Sequence, residues 1–300
     1  MSKGYVLYNP KAGSGAYLDT LKALEVVMDE ELVFQDITHI TNYRAFLSGM
    51  ADDDCLLIAG GDGTLNRFIN DTDGLNISNE ILYYPIGSGN DFAHDLQRQA
   101  GDHPFPVTAY LKNLPSVEVK GKTYRFLNGI GYGIDGYCCE IGDQLRKIPG
   151  KKVNYTSIAI KGLLFHYKPT NAIITVDGIT HSYEKVWLAP TMNGRYYGGG
   201  MLPTPAQDRL DPHNTLSVMV MHGSGKLQTL AVFPSIFTGE HVKHKKLVEI
   251  LTGHEITVEF DSPTALQIDG ETILGVTSYT AVSSSCKTMH HTGQRQLCRA

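Results

Sequence analysis

Residues 55–64 read Cys-Leu-Leu-Ile-Ala-Gly-Gly-Asp-Gly-Thr, and the helical spacing of Leu65 to Asn70 follows directly. The first five residues are apolar without a break, which is typical of a strand buried on both faces of a parallel sheet. A buried strand, a glycine-rich loop and a helix in this order form the repeating unit of α/β proteins. The stretch therefore predicts an α/β domain with a loop at the carboxyl end of one of its strands.

The loop Gly60-Gly61-Asp62-Gly63-Thr64 has the composition of an anion-binding loop. Glycines let backbone N–H groups approach an anionic ligand, and the N-terminus of the following helix adds the positive end of its dipole. An aspartate in such a loop fits a phosphate ligand if a divalent cation lies between them, or if the carboxylate handles a hydroxyl proton. The alternative is a tight strand-to-helix turn in which Asp62 caps the helix.

Strand-like and helix-like segments alternate through the N-terminal part of the chain. Strands are predicted at 5–8, 33–37, 55–59 and 81–85, and helices within 18–28, 43–50, 65–70 and 91–96. Two further loops follow predicted strands, Asn9–Gly15 and Pro85–Asp91. Because the ligands of open α/β sheets bind at the carboxyl ends of the strands, the three loops are predicted to meet at a single nucleotide.

After about residue 115 the pattern changes to short strands joined by hairpin turns. Lys120-Gly121-Lys122 and Asp177-Gly178 are typical hairpin connections. Further strands are predicted at 186–189, 216–221, 256–260 and 266–268, and helical stretches at 153–167 and 226–237. Gly131-x-Gly133-x-x-Gly136 matches the dinucleotide-binding fingerprint, but no acidic residue follows about 20 positions later, so we interpret it as a glycine-rich bend. This part of the chain is predicted to be mainly antiparallel β.

The composition is that of a globular protein of one or two domains, with 300 residues of which 42% are hydrophobic and 19% charged. The net charge of -5 argues against a nucleic-acid partner. No apolar run reaches the roughly 18 residues of a membrane span, and the first residues resemble a strand rather than a signal peptide. Five cysteines, none of them in a Cys-x-x-Cys pair, favour a reducing compartment, so a cytoplasmic protein is expected.

The motifs together resemble those of the diacylglycerol kinase catalytic family, which includes bacterial lipid kinases and sphingosine kinases and is related to the NAD kinases. The matching elements are Asn9-Pro10-x-x-Gly13, Gly60-Gly61-Asp62-Gly63-Thr64-Leu65-Asn66, Pro85-x-Gly87-Ser88-x-Asn90-Asp91, Gly198-Gly199-Gly200-Met201 and Gln267-Ile268-Asp269-Gly270-Glu271. The resemblance implies a nucleotide-binding α/β domain with a parallel sheet over 1–115 and a mainly antiparallel β-sandwich, the lipid-substrate domain, over 116–286. It also implies an active site in the cleft between them and a return of about 287–300 to the first domain.

The resemblance further implies an ATP- and Mg²⁺-dependent lipid kinase that phosphorylates a hydroxyl, such as that of diacylglycerol, while transiently associated with a membrane surface. The implied ATP contacts are Asn9, Pro10, Lys11, Ala12, Gly13, Thr41, Gly60, Gly61, Gly63, Thr64, Leu65, Asn66, Arg67, Ser88, Asn90 and Asp91. Asp62 would act with Mg²⁺ or the transferring phosphoryl group, and Asp269 and Glu271 are candidates for the general base. Asp208 and Asp211 are candidate ligands of a second Mg²⁺. The resemblance leaves room for a homodimer.

Two segments depart from the family pattern. Arg67 stands where the family usually has Glu, and His213-Asn214 stand where bacterial lipid kinases often carry Asp-Gly of a structural Mg²⁺ site. An NAD kinase is the alternative enzyme, although the Gly-Ser-Thr-Ala-Tyr-type segment of that family is missing from the sequence. A catalytically inactive nucleotide-binding sensor is the alternative that His213-Asn214 keep open.

The candidate base lies in Asp269-Gly270-Glu271, directly after the alternating run 266–268. If this stretch is extended, the two carboxylates share one face, and their repulsion raises the pKa of one of them, which suits it for proton acceptance. The alternative is an exposed Asp-Gly hairpin turn.

A run of positive charge at residues 241–246, His-Val-Lys-His-Lys-Lys, is here called the basic cluster. Such a run is usually a solvated face. The alternative is a surface that contacts an anionic membrane, which a lipid kinase must visit.

Overall fold

The computed structural model describes residues 2–10, 21–87, 89–148, 153 and 155–285. The chain divides into two compact units, Met1–Asn113 and Leu114–Ala300. Each unit has its own sheet, so the fold is an α/β unit followed by an antiparallel β-sandwich unit, as the sequence predicted.

The first unit is built on a mostly parallel sheet. Its strands are β1 (Lys3–Tyr8), β2 (Glu31–Asp36), β3 (Cys55–Gly60), β4 (Glu80–Pro85) and β5 (Phe105–Pro106), and its described α-helices are α1 (Leu24–Val27), α2 (Tyr43–Ser48), α3 (Asp62–Asp71), α4 (Asp91–Asp95) and α5 (Thr108–Leu111). The strand order is β2-β1-β3-β4-β5, and only β5 runs antiparallel to its neighbour. The order reverses between β1 and β3, which is the point where open α/β sheets bind ligands.

Strand β3 is the centre of this unit. Every residue from Cys55 to Gly60 is buried, and Leu56, Leu57 and Ile58 are fully inaccessible. This confirms the prediction made from the unbroken apolar run, because a central strand with helices on both faces has no polar side to present.

The second unit is a folded-over antiparallel sheet. Its strands are β6 (Ser116–Val119), β7 (Lys122–Arg125), β8 (Gly129–Tyr132), β9 (Thr170–Val176), β10 (Ile179–Val186), β11 (Thr191–Met192), β12 (Leu216–Met221), β13 (Val248–Gly253), β14 (Glu255–Ile268) and β15 (Glu271–Val282). The main path is β13-β12-β11-β8-β14-β15-β6-β7, with β9 and β10 branching from β14. The hairpins at Lys120-Gly121 and Asp177-Gly178 form as predicted, with positive φ at both turn residues.

Strand β14 closes the sandwich. Its first half pairs with β9 and its last three residues pair with β8, and the register shifts between Glu259 and Leu266. The two faces then pack on each other, with Tyr132 stacked on Phe260 at a ring-centroid distance of 3.9 Å. The two strands predicted at 256–260 and 266–268 are therefore one continuous, irregular strand.

The helix α6 (Ile134–Arg146) was not predicted from the sequence. The interpretation of Gly131-x-Gly133-x-x-Gly136 as a bend is wrong, because β8 leads directly into α6 through Gly133, which has φ +102. Glycine inside a helix lowers helix propensity, so the sequence of α6, which contains Gly136 and Gly142, does not look helical. Gly136 is required there, because a Cβ at this position would lie 1.8 Å from the carbonyl oxygen of Ala265.

The two predicted helical stretches of the second unit are each interrupted. The first contains α7 (Tyr155–Lys161) followed by a π-helical turn (Gly162–His166), and the second contains α8 (Lys226–Val232) followed by a 3₁₀ turn (Phe233–Phe237). Among the helices of the described residues, none has the length and apolarity that a bilayer crossing requires.

Candidate functional site

The carboxyl ends of three adjacent parallel strands carry the predicted nucleotide loops. Strand β1 ends at Tyr8 before Asn9 and Pro10, β3 ends at Gly60, and β4 ends at Pro85. Strands β1 and β3 are neighbours at the reversal of strand order, and β4 follows β3 in register, with Gly60 opposite Pro85. The sheet therefore brings the beginnings of all three loops to one edge.

Two of these loops touch through their backbones. A Cβ on Gly87 would lie 2.4 Å from the Cα of Gly61, and one on Gly61 would lie 3.1 Å from the Cα of Gly87, so the contact excludes a side chain at Gly87 and leaves little room for one at Gly61. Asn90, in the left-handed region at φ 51, accepts a hydrogen bond from the Gly87 N–H at 3.1 Å and donates one to the Gly87 carbonyl at 2.7 Å. A Cβ on Gly63 would meet no atom within 4 Å. The start of α3 is therefore open to a ligand at Gly63.

Asp62 joins the two loops. It is the first residue of α3, and its carboxylate accepts hydrogen bonds from the N–H groups of Asp91 and Phe92, both at 2.9 Å. These N–H groups belong to the first turn of α4, so Asp62 caps α4. A carboxylate is also the kind of ligand that Mg²⁺ prefers in proteins.

Negative charge is concentrated beside Tyr83. Burial raises the pKa of the Tyr83 phenol well above its usual value, and the carboxylates of Asp62 and Asp91 raise it further. The Tyr83 hydroxyl donates to the carbonyl of Gly60 at 3.1 Å. Carboxylate oxygens are the ligands that Mg²⁺ prefers in proteins, so Asp62 and Asp91 fit a Mg²⁺ ion together with a phosphate group.

The other predicted ATP residues have different surroundings. The side chains of Thr64, Leu65 and Asn66 are buried, which leaves their backbone as the part that can meet a ligand. Arg67 forms an ion pair with Asp71 at 3.2 Å, and Thr41 is exposed before α2. The four remaining positions, Lys11, Ala12, Gly13 and Ser88, lie outside the described residues. The ATP contacts of all these residues stay predictions.

The Asp269-Gly270 pair forms a two-residue hairpin turn between β14 and β15. Asp269 has φ 46 and Gly270 has φ 94, the positive values that such turns require. The expectation of an extended stretch with both carboxylates on one face is wrong, because the chain reverses between them. The Asp-Gly hairpin, weighed as the alternative, is what forms.

The Asp269 carboxylate is held by three backbone N–H groups. It accepts from Leu127 at 2.5 Å, from Asn128 at 2.8 Å and from Gly129 at 3.0 Å. These three donors fix the Asp269 carboxylate against the backbone of residues 127–129. Glu271 is exposed at the first position of β15. The two candidate bases therefore differ in kind, one anchored and one accessible, and their catalytic roles stay predictions.

The candidate metal ligands Asp208 and Asp211 lie in the loop between β11 and β12. Asp208 accepts from the Leu210 N–H at 2.9 Å, and Asp211 accepts from the His213 N–H at 3.1 Å and the Thr215 hydroxyl at 2.7 Å. Burial raises the pKa of Asp211, but these hydrogen bonds outweigh it and the pKa is lowered overall. The loop is thus held by its own donors, and a second Mg²⁺ there stays a prediction.

Across the described residues, no three His, Cys, Asp or Glu side chains are grouped as a ready-made metal site. Asp62 and Asp91 would therefore need phosphate oxygens or water to complete the coordination of Mg²⁺.

Sequence reasoning missed a buried polar group next to the hairpin turn. Asp135, on the first turn of α6, accepts a hydrogen bond from Gln267 Nε2 at 3.2 Å, and Gln267 Oε1 accepts from the Gly270 N–H at 2.6 Å. The Gly198-Gly199-Gly200 motif turns beside it, where a Cβ on Gly198 would lie 4.0 Å from Asp135 Oδ1. An acidic residue within an apolar, glycine-rich stretch was the one signal available.

The family comparison agrees with this architecture. Residues 3–117 match the diacylglycerol kinase catalytic domain, and residues 128–286 match the YegS C-terminal NAD kinase beta sandwich-like domain. YtlR of Bacillus subtilis, described provisionally as a lipid kinase, is 23% identical over 95% of this chain and 97% of its own. A diacylglycerol kinase of Mycobacterium tuberculosis is 24% identical over 88% of this chain and 86% of its own.

Solved structures show the same fold. A diacylglycerol kinase of Bacillus anthracis superposes with a TM-score of 0.64 at 20% identity, over 94% of this chain and 95% of its own. The two domain matches together extend over most of the chain, in the order and at the places where the two units lie. The chain accordingly belongs to the diacylglycerol kinase catalytic family, a family of kinases.

Proposed function

We propose that this protein transfers the γ-phosphoryl group of ATP to the hydroxyl of a lipid such as diacylglycerol, in a Mg²⁺-dependent reaction. The observation that carries the proposal is Asp62, a carboxylate that joins two glycine-rich loops at the ligand-binding edge of a parallel sheet. A carboxylate beside phosphates is unfavourable unless a cation lies between them, and a kinase supplies that cation with its nucleotide.

The nucleotide would be bound mainly by backbone. The open position at Gly63 and the N-terminus of α3 offer N–H groups and a favourable dipole to the phosphates. Asp62, with Asp91 nearby, would hold the Mg²⁺ ion, which neutralises charge on the phosphates when bound. Phosphoryl transfer needs little covalent help, so positioning and charge neutralisation are the main contributions of this unit.

The proton of the attacking hydroxyl needs an acceptor. Of the two candidates we propose Glu271, because it is exposed and is not held by the three N–H donors that occupy Asp269. Asp269 would fix the loop at Leu127–Gly129 against the turn that carries Glu271. General-base catalysis by a positioned carboxylate contributes roughly 10²–10⁴ in rate.

A lipid substrate requires contact with a membrane, and the second unit has a suitable surface. Four described cations between residues 144 and 176 are exposed, namely Arg146, Lys147, Lys161 and Lys168, and the sequence there holds no Asp or Glu in a chain of net charge -5. Within and beside this stretch, Phe165 is 72% exposed and Leu227 is 78% exposed. Lys226 ties the two together by donating to the Leu164 carbonyl at 2.9 Å. In the basic cluster, by contrast, Lys243 is paired with Glu240.

The test is a phosphorylation screen with radiolabelled ATP and Mg²⁺ against extracted lipids, with NAD as a parallel acceptor. We expect a labelled lipid product that is lost in the Asp62→Asn variant. Labelled NAD without a lipid product would identify an NAD kinase instead. ATP binding without transfer to any acceptor would identify a nucleotide-binding sensor.

A further inference from the structure

We propose that Asp135 is a positioning residue that acts through Gln267 to fix the turn presenting Asp269 and Glu271. This inference rests on the proposed function for its catalytic consequence, but the structural coupling can be tested without any substrate. Two hydrogen bonds link α6 to the turn.

The link runs through both ends of one side-chain amide. Gln267 Oε1 accepts the Gly270 N–H at 2.6 Å, so the Nε2 end of the same amide is left to donate. It donates to Asp135 Oδ2 at 3.2 Å, in a place where Gln267 is only 3% exposed. A buried donor without an acceptor is unfavourable, so the carboxylate of Asp135 holds the amide in the orientation that receives Gly270.

The backbone around this link is shaped to admit the carboxylate. Gly131 lies opposite Gln267 in the β8–β14 register, and a Cβ there would lie 1.7 Å from Asp135 Oδ2. Gly136 lets α6 approach the backbone of β14 at Ala265. Any other residue at either glycine would separate α6 from the strand that carries Gln267.

A second contact from the same helix holds the other strand of the hairpin. Thr272, which pairs with Gln267 across the hairpin, donates its hydroxyl to Asp143 Oδ2 at 2.8 Å. Asp143 lies eight positions after Asp135 on α6. Helix α6 therefore contacts both strands of the hairpin at the Gln267–Thr272 pair, which is separated from the Asp269-Gly270 turn by one residue pair. Of the two contacts, the one made by Asp135 is buried.

The carboxylate is held there against a desolvation cost. Burial raises the pKa of Asp135 to about 6, with the hydrogen bond from Gln267 opposing the rise. The groups that face it are the Gln267 amide, the Tyr197 phenol and the thiols of Cys138 and Cys139. Burial raises the pKa of the phenol and of both thiols. No cation is among these described neighbours, so ion pairing does not account for the acid at this position.

The experiment measures hydrogen exchange of the Gly270 amide in the ligand-free protein, together with steady-state kinetics. The variants are Asp135→Leu and Gln267→Leu, which remove the link at either end, and Asp135→Asn, which retains one acceptor oxygen. Glu140→Gln is the matched control, because it removes from the same helix a carboxylate that lies beside Tyr137. Amides of β12 serve as the reference for global stability.

We expect Gly270 to exchange about tenfold faster in either Leu variant, with the β12 amides unchanged. Asp135→Asn should lie between these variants and the wild type, and Glu140→Gln should match the wild type. With the lipid substrate, kcat should fall about 10–100-fold while KM for ATP stays within about twofold, because only the turn has moved.

Unchanged exchange at Gly270 in both Leu variants would overturn the proposal, as would equal acceleration of Gly270 and β12. If Asp135→Leu does not fold, Gln267→Leu carries the same comparison. A failure of the kinase proposal would leave the exchange result intact, so the two ideas fail separately.

Discussion

Asp269 and Glu271 stand two residues apart, and we expect their neutral variants to fail in opposite ways. In Asp269→Asn one carbonyl oxygen remains, enough for the N–H groups of Asn128 and Gly129, while the new amide faces the Leu127 N–H. One charge-assisted hydrogen bond, about 1.5–3 kcal/mol, is lost and two others fall by about half. Because Asp269 is only partly buried, we discount the sum to about 2–4 kcal/mol.

Glu271→Gln should behave differently, because its side chain is exposed and has the same size. We expect the free energy of unfolding to stay within about 0.5 kcal/mol of the wild type, and turnover to fall roughly 10²–10⁴-fold. Thermal melting and initial rates with radiolabelled ATP and detergent-dispersed diacylglycerol measure both effects. A loss of about 2–4 kcal/mol lowers the melting temperature of Asp269→Asn by roughly 4–16 °C.

Two results would refute this reasoning. If Asp269→Asn melts with the wild type, the three N–H contacts do not anchor the turn. If Glu271→Gln retains near-wild-type turnover on the true lipid, the proton acceptor is elsewhere, and Asp62 becomes the leading candidate.

Three further predictions test other parts of the molecule. Asp62→Asn should lose at least about 100-fold in turnover and about 1–2 kcal/mol of stability, since one N–H of α4 loses its acceptor; retained activity would show that the loop is only a turn. Because burial raises the folded-state pKa of Asp135 to about 6, its protonated form contributes stability that is complete below the unfolded pKa of 3.8 and is lost as pH rises through about 6. The free energy of unfolding of Asp135→Asn should therefore rise by up to about 3 kcal/mol relative to that of the wild type between pH 4 and pH 8. A difference between the two denaturation curves that does not change with pH would contradict this. Phe165→Ser with Leu227→Ser should weaken binding to anionic vesicles, whereas Ile179→Ser, which removes a side chain that is 66% exposed on another element, should not; equal effects would return this surface to ordinary solvent exposure.

The parts of the fold that the sequence predicts are those written in local spacing. An unbroken apolar run, a glycine-rich loop and a helical repeat within residues 55–70 were enough to place β3, its loop and α3. The Asp177-Gly178 turn was equally local. The helix α6 escaped because its glycines serve packing against Ala265, a residue far along the chain.

The candidate site divides in the same way. Asp62 stands out within its own loop, but its bonds to the start of α4 depend on two strands being neighbours. The anchoring of Asp269 could not be predicted, because its partner Leu127 lies 142 positions away and contributes only a backbone N–H. Gln267 stands in the alternating run 266–268, but the alternation gives no sign that its side chain is buried, and its role arises from contacts at both ends of that side chain.

The separation along the sequence between Asp269 and its partners also affects how the chain folds while it is being synthesised. Leu127 is synthesised 142 residues before Asp269. At roughly 5–20 residues per second, the loop at Leu127–Gly129 and the apolar strand β8 wait about 7–28 seconds for the strand that covers them. The first unit is complete by Asn113 and can fold during translation, whereas the second unit keeps unpaired strand edges until β14 and β15 have been synthesised. Chain termination or slow codons between Leu127 and Asp269 would therefore leave the edge of β8 that pairs with β14 exposed to chaperones or to other nascent chains.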